Sequence, residues 1–170
     1  LWKAKLQSVT GKTISTGDRV VFILFDTSGS MRDEGKLDKA RQGTLGFCAE
    51  ALAREFNFGL IAFDTLARLV LPPQRTHQPI SDALAKLEIG GKTDMAAAIR
   101  LAENELLKVK RERIMCIITD GVPDDREATL VAAENARLRG IDIMAIGTDD
   151  ADSAFLSRLV SRRELSRKVE

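Results

Sequence analysis

Four short apolar runs, each closed by polar or acidic residues, constrain this chain more than any other feature. They are Val20 to Phe25 before Asp26, Leu60 to Phe63 before Asp64, Ile114 to Ile118 before Thr119 and Asp120, and Ile141 to Ile146, interrupted only by Asp142, before Gly147 and Thr148. Consecutive apolar positions over such a length describe strands buried on both faces, as in a parallel sheet. Helical stripes lie between them. The clearest is Met95, Ile99, Ala102, Leu106 and Val109, in alternating steps of four and three. A second runs through Leu37, Ala40, Thr44, Phe47, Cys48 and Ala51, and a third covers Arg126 to Leu138 before Gly140. This alternation predicts an α/β fold: a doubly wound, mostly parallel central sheet with helices on both faces. Leu66 to Leu71 departs from the pattern, because Asp64-Thr65 is too short for a crossover helix. Those two strands should pair as an antiparallel edge hairpin, which Pro72-Pro73 ends.

A chain of 170 residues suits one domain. Its expected divisions are an N-terminal extension or edge strand over 1–17, the domain proper over 18–160, and a charged helix end over 161–170. The 26 Lys and Arg nearly balance the 25 Asp and Glu, so neither nucleic acid nor an anionic membrane is expected as partner. No apolar run is long enough to span a bilayer. Cys48 and Cys116 fall in buried patterns rather than a disulfide framework, which favours a reducing, cytoplasmic setting. The chain starts at Leu1 rather than Met, which fits a trimmed chain or a fragment of a longer protein, so that setting is provisional. A single His leaves no imidazole or thiolate zinc site, so a metal here would be oxygen-bound.

Asp26-Thr27-Ser28-Gly29-Ser30 follows the first strand directly and sets one carboxylate and two hydroxyls at alternate positions of a tight loop. Taken alone this is as well read as a capped turn. Two further segments change the balance. Gly90-Gly91-Lys92-Thr93-Asp94 brings a third hydroxyl to a helix start, and Thr119-Asp120-Gly121 brings a second carboxylate to another strand end. Ligands of open parallel sheets bind at such ends.

Asp-x-Ser-x-Ser with Met31 after it, then Gly-Gly-x-Thr-Asp-Met, then Ile-Thr-Asp-Gly-x-Pro, in this order, closely resembles the von Willebrand factor type A domain over roughly residues 18 to 160. The resemblance implies its Rossmann-like fold and a metal-ion-dependent adhesion site. It implies Ser28 and Ser30 as direct ligands, Thr93 as a ligand directly or through water, and Asp26 and Asp120 as mostly water-mediated acidic members. Met31 and Lys92 flank this set as expected partner contacts, Lys92 standing where many members carry a small or uncharged residue.

The donor chemistry agrees. Hard oxygens suit Mg²⁺, with Mn²⁺ or Ca²⁺ as substitutes. Two carboxylates acting partly through water at most neutralise the ion, and three hydroxyls add no charge, so an Asp or Glu of a protein partner can complete its coordination. The function expected is therefore metal-dependent protein binding, not catalysis. Similar intracellular domains suggest a place beside an AAA+ ATPase. The alternative is a magnesium-dependent phosphatase or phosphotransferase of the haloacid dehalogenase type, which needs a general acid where this chain has Ser28. His77 reads as a surface-loop residue. Asp124, Asp125, Asp149, Asp150 and Asp152 read as helix caps and dipole partners.

Overall fold

The computed structural model describes residues 19–148, 151–161 and 166–168. The expectations for 1–17 and for Asp149 and Asp150 lie outside these. Six strands form one sheet: β1 (Arg19–Asp26), β2 (Asn57–Phe63), β3 (Ala67–Gln74), β4 (Glu112–Thr119), β5 (Asp142–Gly147) and β6 (Ser166–Lys168). Their order is β3-β2-β1-β4-β5-β6, parallel except for the antiparallel β2–β3 pair. Five helices accompany them: α1 (Glu34–Ala53), α2 (His77–Ala85), α3 (Met95–Leu106), α4 (Arg126–Leu138) and α5 (Ser153–Leu159). Every residue of β1 and β2 is buried. Because successive side chains point to opposite faces, both faces of the sheet are covered. Helix α1 packs with α2, and α3 with α4, against this central region.

Four of the helices start on an aspartate whose carboxylate accepts from a backbone amide of the first turn. Asp33, Asp94, Asp125 and Asp152 cap α1, α3, α4 and α5. Such a cap satisfies one orphan donor and is worth about 1 kcal/mol. Asp125 and Asp152 thus hold the capping role expected of them.

Three segments differ from the sequence expectation. Strand β3 does not stop at Pro72-Pro73 but runs through the pair to Gln74, with a register shift between Phe58↔Gln74 and Leu60↔Leu71. It lies at the sheet edge, where a bulge accommodates residues without an N–H. His77 is not in a loop but opens α2, whose buried anchors are just Ile80 and Leu84. Of the 161–170 segment, Ser161 and Ser166–Lys168 are described, and neither is helical. Helix α5 stops at Leu159, Val160 is extended, and the Ser161 amide donates to the Ile143 carbonyl while its Oγ accepts from the Ile143 amide. The chain then runs along the open edge of β5, pairing Ala145↔Ser166 and Gly147↔Lys168 as β6.

Candidate metal centre

The chain leaves β1 towards β2 on one side and leaves β4 towards β5 on the other. A crevice opens where these departures diverge, at the carboxyl ends of β1 and β4. Asp26 is the last residue of β1, and Asp120 follows β4 directly. The 3-10 turn Gly29–Arg32 carries Ser30, and Thr93 lies two residues before α3.

One hydrogen-bond net joins four of the five expected ligand residues. Asp26 Oδ1 accepts from the Ser28 amide at 2.8 Å, and its Oδ2 accepts from Thr119 Oγ1 at 2.7 Å. The hydroxyls of Ser28 and Ser30 are 3.1 Å apart. Ser30 Oγ donates to Asp120 Oδ1 at 3.0 Å. Thr93 is brought alongside by its backbone: the Gly29 amide donates to the Gly91 carbonyl at 3.0 Å, and the Gly90 amide to the Thr27 carbonyl at 2.9 Å. Gly91 has φ +85, and a Cβ there would lie 2.8 Å from Thr65 Oγ1, so this clasp requires glycine. The Thr93 hydroxyl has no hydrogen-bond partner among the described residues, whereas its amide donates to Asp124 Oδ2 at 3.0 Å.

The net is deep at one end and open at the other. Asp26 is wholly buried, Asp120 is 7% exposed, and Ser30 faces solvent. Burial pushes the Asp26 carboxyl up to about 6, the charge of Asp120 pushes the same way, and the donors from Ser28 and Thr119 oppose both. Asp26 thus faces neutral donors and a second carboxylate. Among the described residues no three His, Cys, Asp or Glu gather as a metal cluster, so hydroxyls dominate this donor set. Hydroxyl and carboxylate oxygens around a buried acid short of positive charge fit a hard divalent cation.

Of the two expected partner contacts, Lys92 is exposed and lines a groove of about 320 Å³ with Thr65, Thr93, Arg100 and Asp124. Met31 is not available to a partner. It is fully buried in the core, because the 3-10 turn after Ser28 folds it inward beneath the loop. Three residues outside the expected ligand set also act at the site. Thr119, inside the Ile-Thr-Asp-Gly motif, orients Asp26 and accepts from the Gly121 amide at 3.0 Å. Asp124, read as a cap, instead holds Thr93 by two bonds, since its own amide also donates to the Thr93 carbonyl. Lys36 reaches Asp120 from α1.

The sequence model of the von Willebrand factor type A domain matches residues 21–122. The chain is 31% identical over 150 residues to the magnesium-chelatase 60 kDa subunit of Cereibacter sphaeroides, covering 81% of this chain and 27% of that one. It is 30% identical over 180 residues to human matrilin-4, covering 94% of this chain and 27% of matrilin-4. The chain therefore spans about a quarter of the length of these relatives. Among solved structures, BatB from Bacteroides thetaiotaomicron superimposes with a TM-score of 0.75 at 17% identity, over 89% of this chain and 90% of that one. Proximal thread matrix protein 1 from the mussel byssus, solved with zinc in its MIDAS motif, gives 0.69 at 19% identity over 90% and 41%. By the strand-end motifs, the sheet they sit on and the match across most of that sheet, this chain belongs to the von Willebrand factor type A domain family.

Proposed function

We propose that this domain binds a protein partner through a divalent cation, Mg²⁺ foremost, held by Asp26, Ser28, Ser30, Thr93 and Asp120. Domains of this family are typically protein-interaction modules. The observation that carries the metal-dependent reading is Asp26: a wholly buried carboxylate with neutral donors on both oxygens, netted to two serine hydroxyls 3.1 Å apart and a second acid. A bound Mg²⁺ supplies a Lewis-acidic position that an Asp or Glu of the partner can occupy. The chain's own residues do the rest. Thr119 and the Ser28 amide fix the orientation of Asp26, the glycine clasp sets Thr93 beside the β1 loop, and exposed Lys92 offers a rim cation to an acidic partner.

The name of the Cereibacter relative, a chelatase subunit, supports placing this domain within a multiprotein assembly, and an AAA+ ATPase is our proposal for its neighbour. Two free, buried thiols, Cys48 and Cys116, support a cytoplasmic setting. A phosphotransfer role finds no support in the geometry. Ser28 stands where a general acid is needed, and a hydroxyl cannot donate and recover a proton near neutral pH as a carboxyl group can.

Calorimetry with Mg²⁺ and Mn²⁺, followed by partner capture with and without chelator, tests this reading. The expected result is metal binding that Asp26→Ala abolishes, and capture that is lost on chelation and weakened about tenfold or more by Thr93→Ala in a protein that still folds. Capture that survives both treatments would place the interface on a metal-independent surface and overturn the proposal.

A further inference from the structure

Lys36 lies in the first turn of α1, yet its side chain turns away from the helix and towards the crevice. Its ammonium is 3.2 Å from Asp120 Oδ2 and 3.5 Å from the Ser30 carbonyl, and the side chain is 19% exposed. The other oxygen of Asp120 takes the Ser30 hydroxyl. The protein's own cation therefore sits on the Ser30–Asp120 pair, two of the five oxygen-bearing residues assigned to the divalent ion. The donors to Asp26 are neutral, the Ser28 amide and the Thr119 hydroxyl.

We infer that Lys36 is a built-in competitor for the site: in the metal-free protein it neutralises Asp120, and it must swing away for a divalent ion to share that carboxylate. This rests on the metal-binding reading above. An ammonium on Asp120 Oδ2 and a divalent ion drawing on the same carboxylate repel each other at close range, and the lysine already neutralises the charge the ion would use. A lysine is suited to yielding, since its charge rides on a flexible four-carbon stem and the partly exposed side chain has a path to water. The ion pair would set the metal concentration at which the domain becomes competent to bind, so partner binding would respond to metal over a chosen range.

Two measurements on the whole chain test this. Titration of Mn²⁺ into wild type and Lys36→Met compares affinities, the methionine keeping most of the apolar stem without its charge. Acetylation of the Lys36 amine, read by peptide mass spectrometry in the unmutated protein with and without Mg²⁺, reports whether the ammonium is displaced. Expected are Mn²⁺ binding about tenfold tighter in Lys36→Met and faster Lys36 acetylation when Mg²⁺ is added, approaching the rate in metal-free Asp120→Asn. Equal or weaker Mn²⁺ binding in Lys36→Met, or acetylation that Mg²⁺ leaves unchanged, would overturn the competitor role while leaving the metal site standing. Absence of Mn²⁺ binding in both proteins would remove the metal reading itself, and Lys36–Asp120 would then be a structural ion pair.

Discussion

Strand β1 carries a buried charge at each end, and the two ends treat it differently. At the amino end Arg19 is 2% exposed, donates from Nη1 to the Arg54 carbonyl at 2.6 Å, and lies 4.2 Å over the Phe56 ring. Burial lowers its pKa, and the negative charges of Glu112 and Glu55 act against that. A carbonyl, a ring face and two acids lie around this cation, and burial still outweighs the acids. At the carboxyl end Asp26 is just as buried, but its partners are an amide and a hydroxyl, and the charge it feels is that of another carboxylate. The fold brings acids to Arg19 and a further acid to Asp26, and a buried group short of opposite charge is a candidate functional site.

The largest effect should come from breaking the completed end. Arg19→Met removes the charge-assisted bond to the Arg54 carbonyl and the contact over the Phe56 ring, at an expected cost of about 3 kcal/mol. Urea melts should show the same loss with and without Mg²⁺. A loss that Mg²⁺ repairs would mean the two ends are not independent.

The unfinished end should show itself in pH dependence. Asp26 has a folded pKa of about 6 against an ordinary 3.8, so between those values the folded chain holds more protons than the unfolded one. Its contribution to metal-free stability is therefore unfavourable above about pH 6 and is relieved as pH falls towards 4. About two pKa units correspond to roughly 2 to 3 kcal/mol. Asp26→Asn should flatten this slope, because the asparagine carbonyl still accepts from the Ser28 amide and its NH₂ can donate to Thr119 Oγ1. The variant should be more stable than wild type in chelator at neutral pH and blind to Mg²⁺. Metal-free melts of Asp26→Asn that keep the wild-type slope would assign the titration elsewhere.

How much of this was legible in the chain depends on how local the information is. The runs Val20 to Phe25 and Ile114 to Ile118 name central strands because burial on both faces leaves no room for polar alternation. Strand ends and helix starts mark the three loops that hold Asp26, Ser28, Ser30, Thr93 and Asp120, and the resemblance of their motifs is what joins the five into one expected ligand set. What was illegible joins distant parts of the chain. Lys36 and Asp120 are 84 residues apart, and nothing in the periodicity of α1 says that this lysine turns towards the crevice. Likewise β6 exists because the edge of β5 is open to pairing, a fact about the sheet rather than about Ser166–Lys168. Met31 misled because a motif neighbour is adjacent in sequence, while the 3-10 turn decides which way it points.

The smallest effect expected is also the finest probe of the unfinished end, and it uses two adjacent acids. Asp125 caps α4 by accepting from the Ala128 amide at 2.9 Å. Asp124 accepts from the Thr93 amide at 3.0 Å and so holds a residue assigned to the metal. Replacing either by Ala deletes one hydrogen bond to a backbone amide and should cost about 1 kcal/mol of stability. Their effects on the ion should separate. Asp124→Ala frees the Thr93 amide and lets that loop drift relative to the β1 loop, so Mg²⁺ affinity should fall by a factor of about three to ten, whereas Asp125→Ala should leave it unchanged. Melts establish the matched stability loss, and calorimetry on the same preparations reads the affinities. Equal affinities in the two variants would mean that the glycine clasp and the remaining bond from the Asp124 amide to the Thr93 carbonyl position Thr93 without the Asp124 carboxylate.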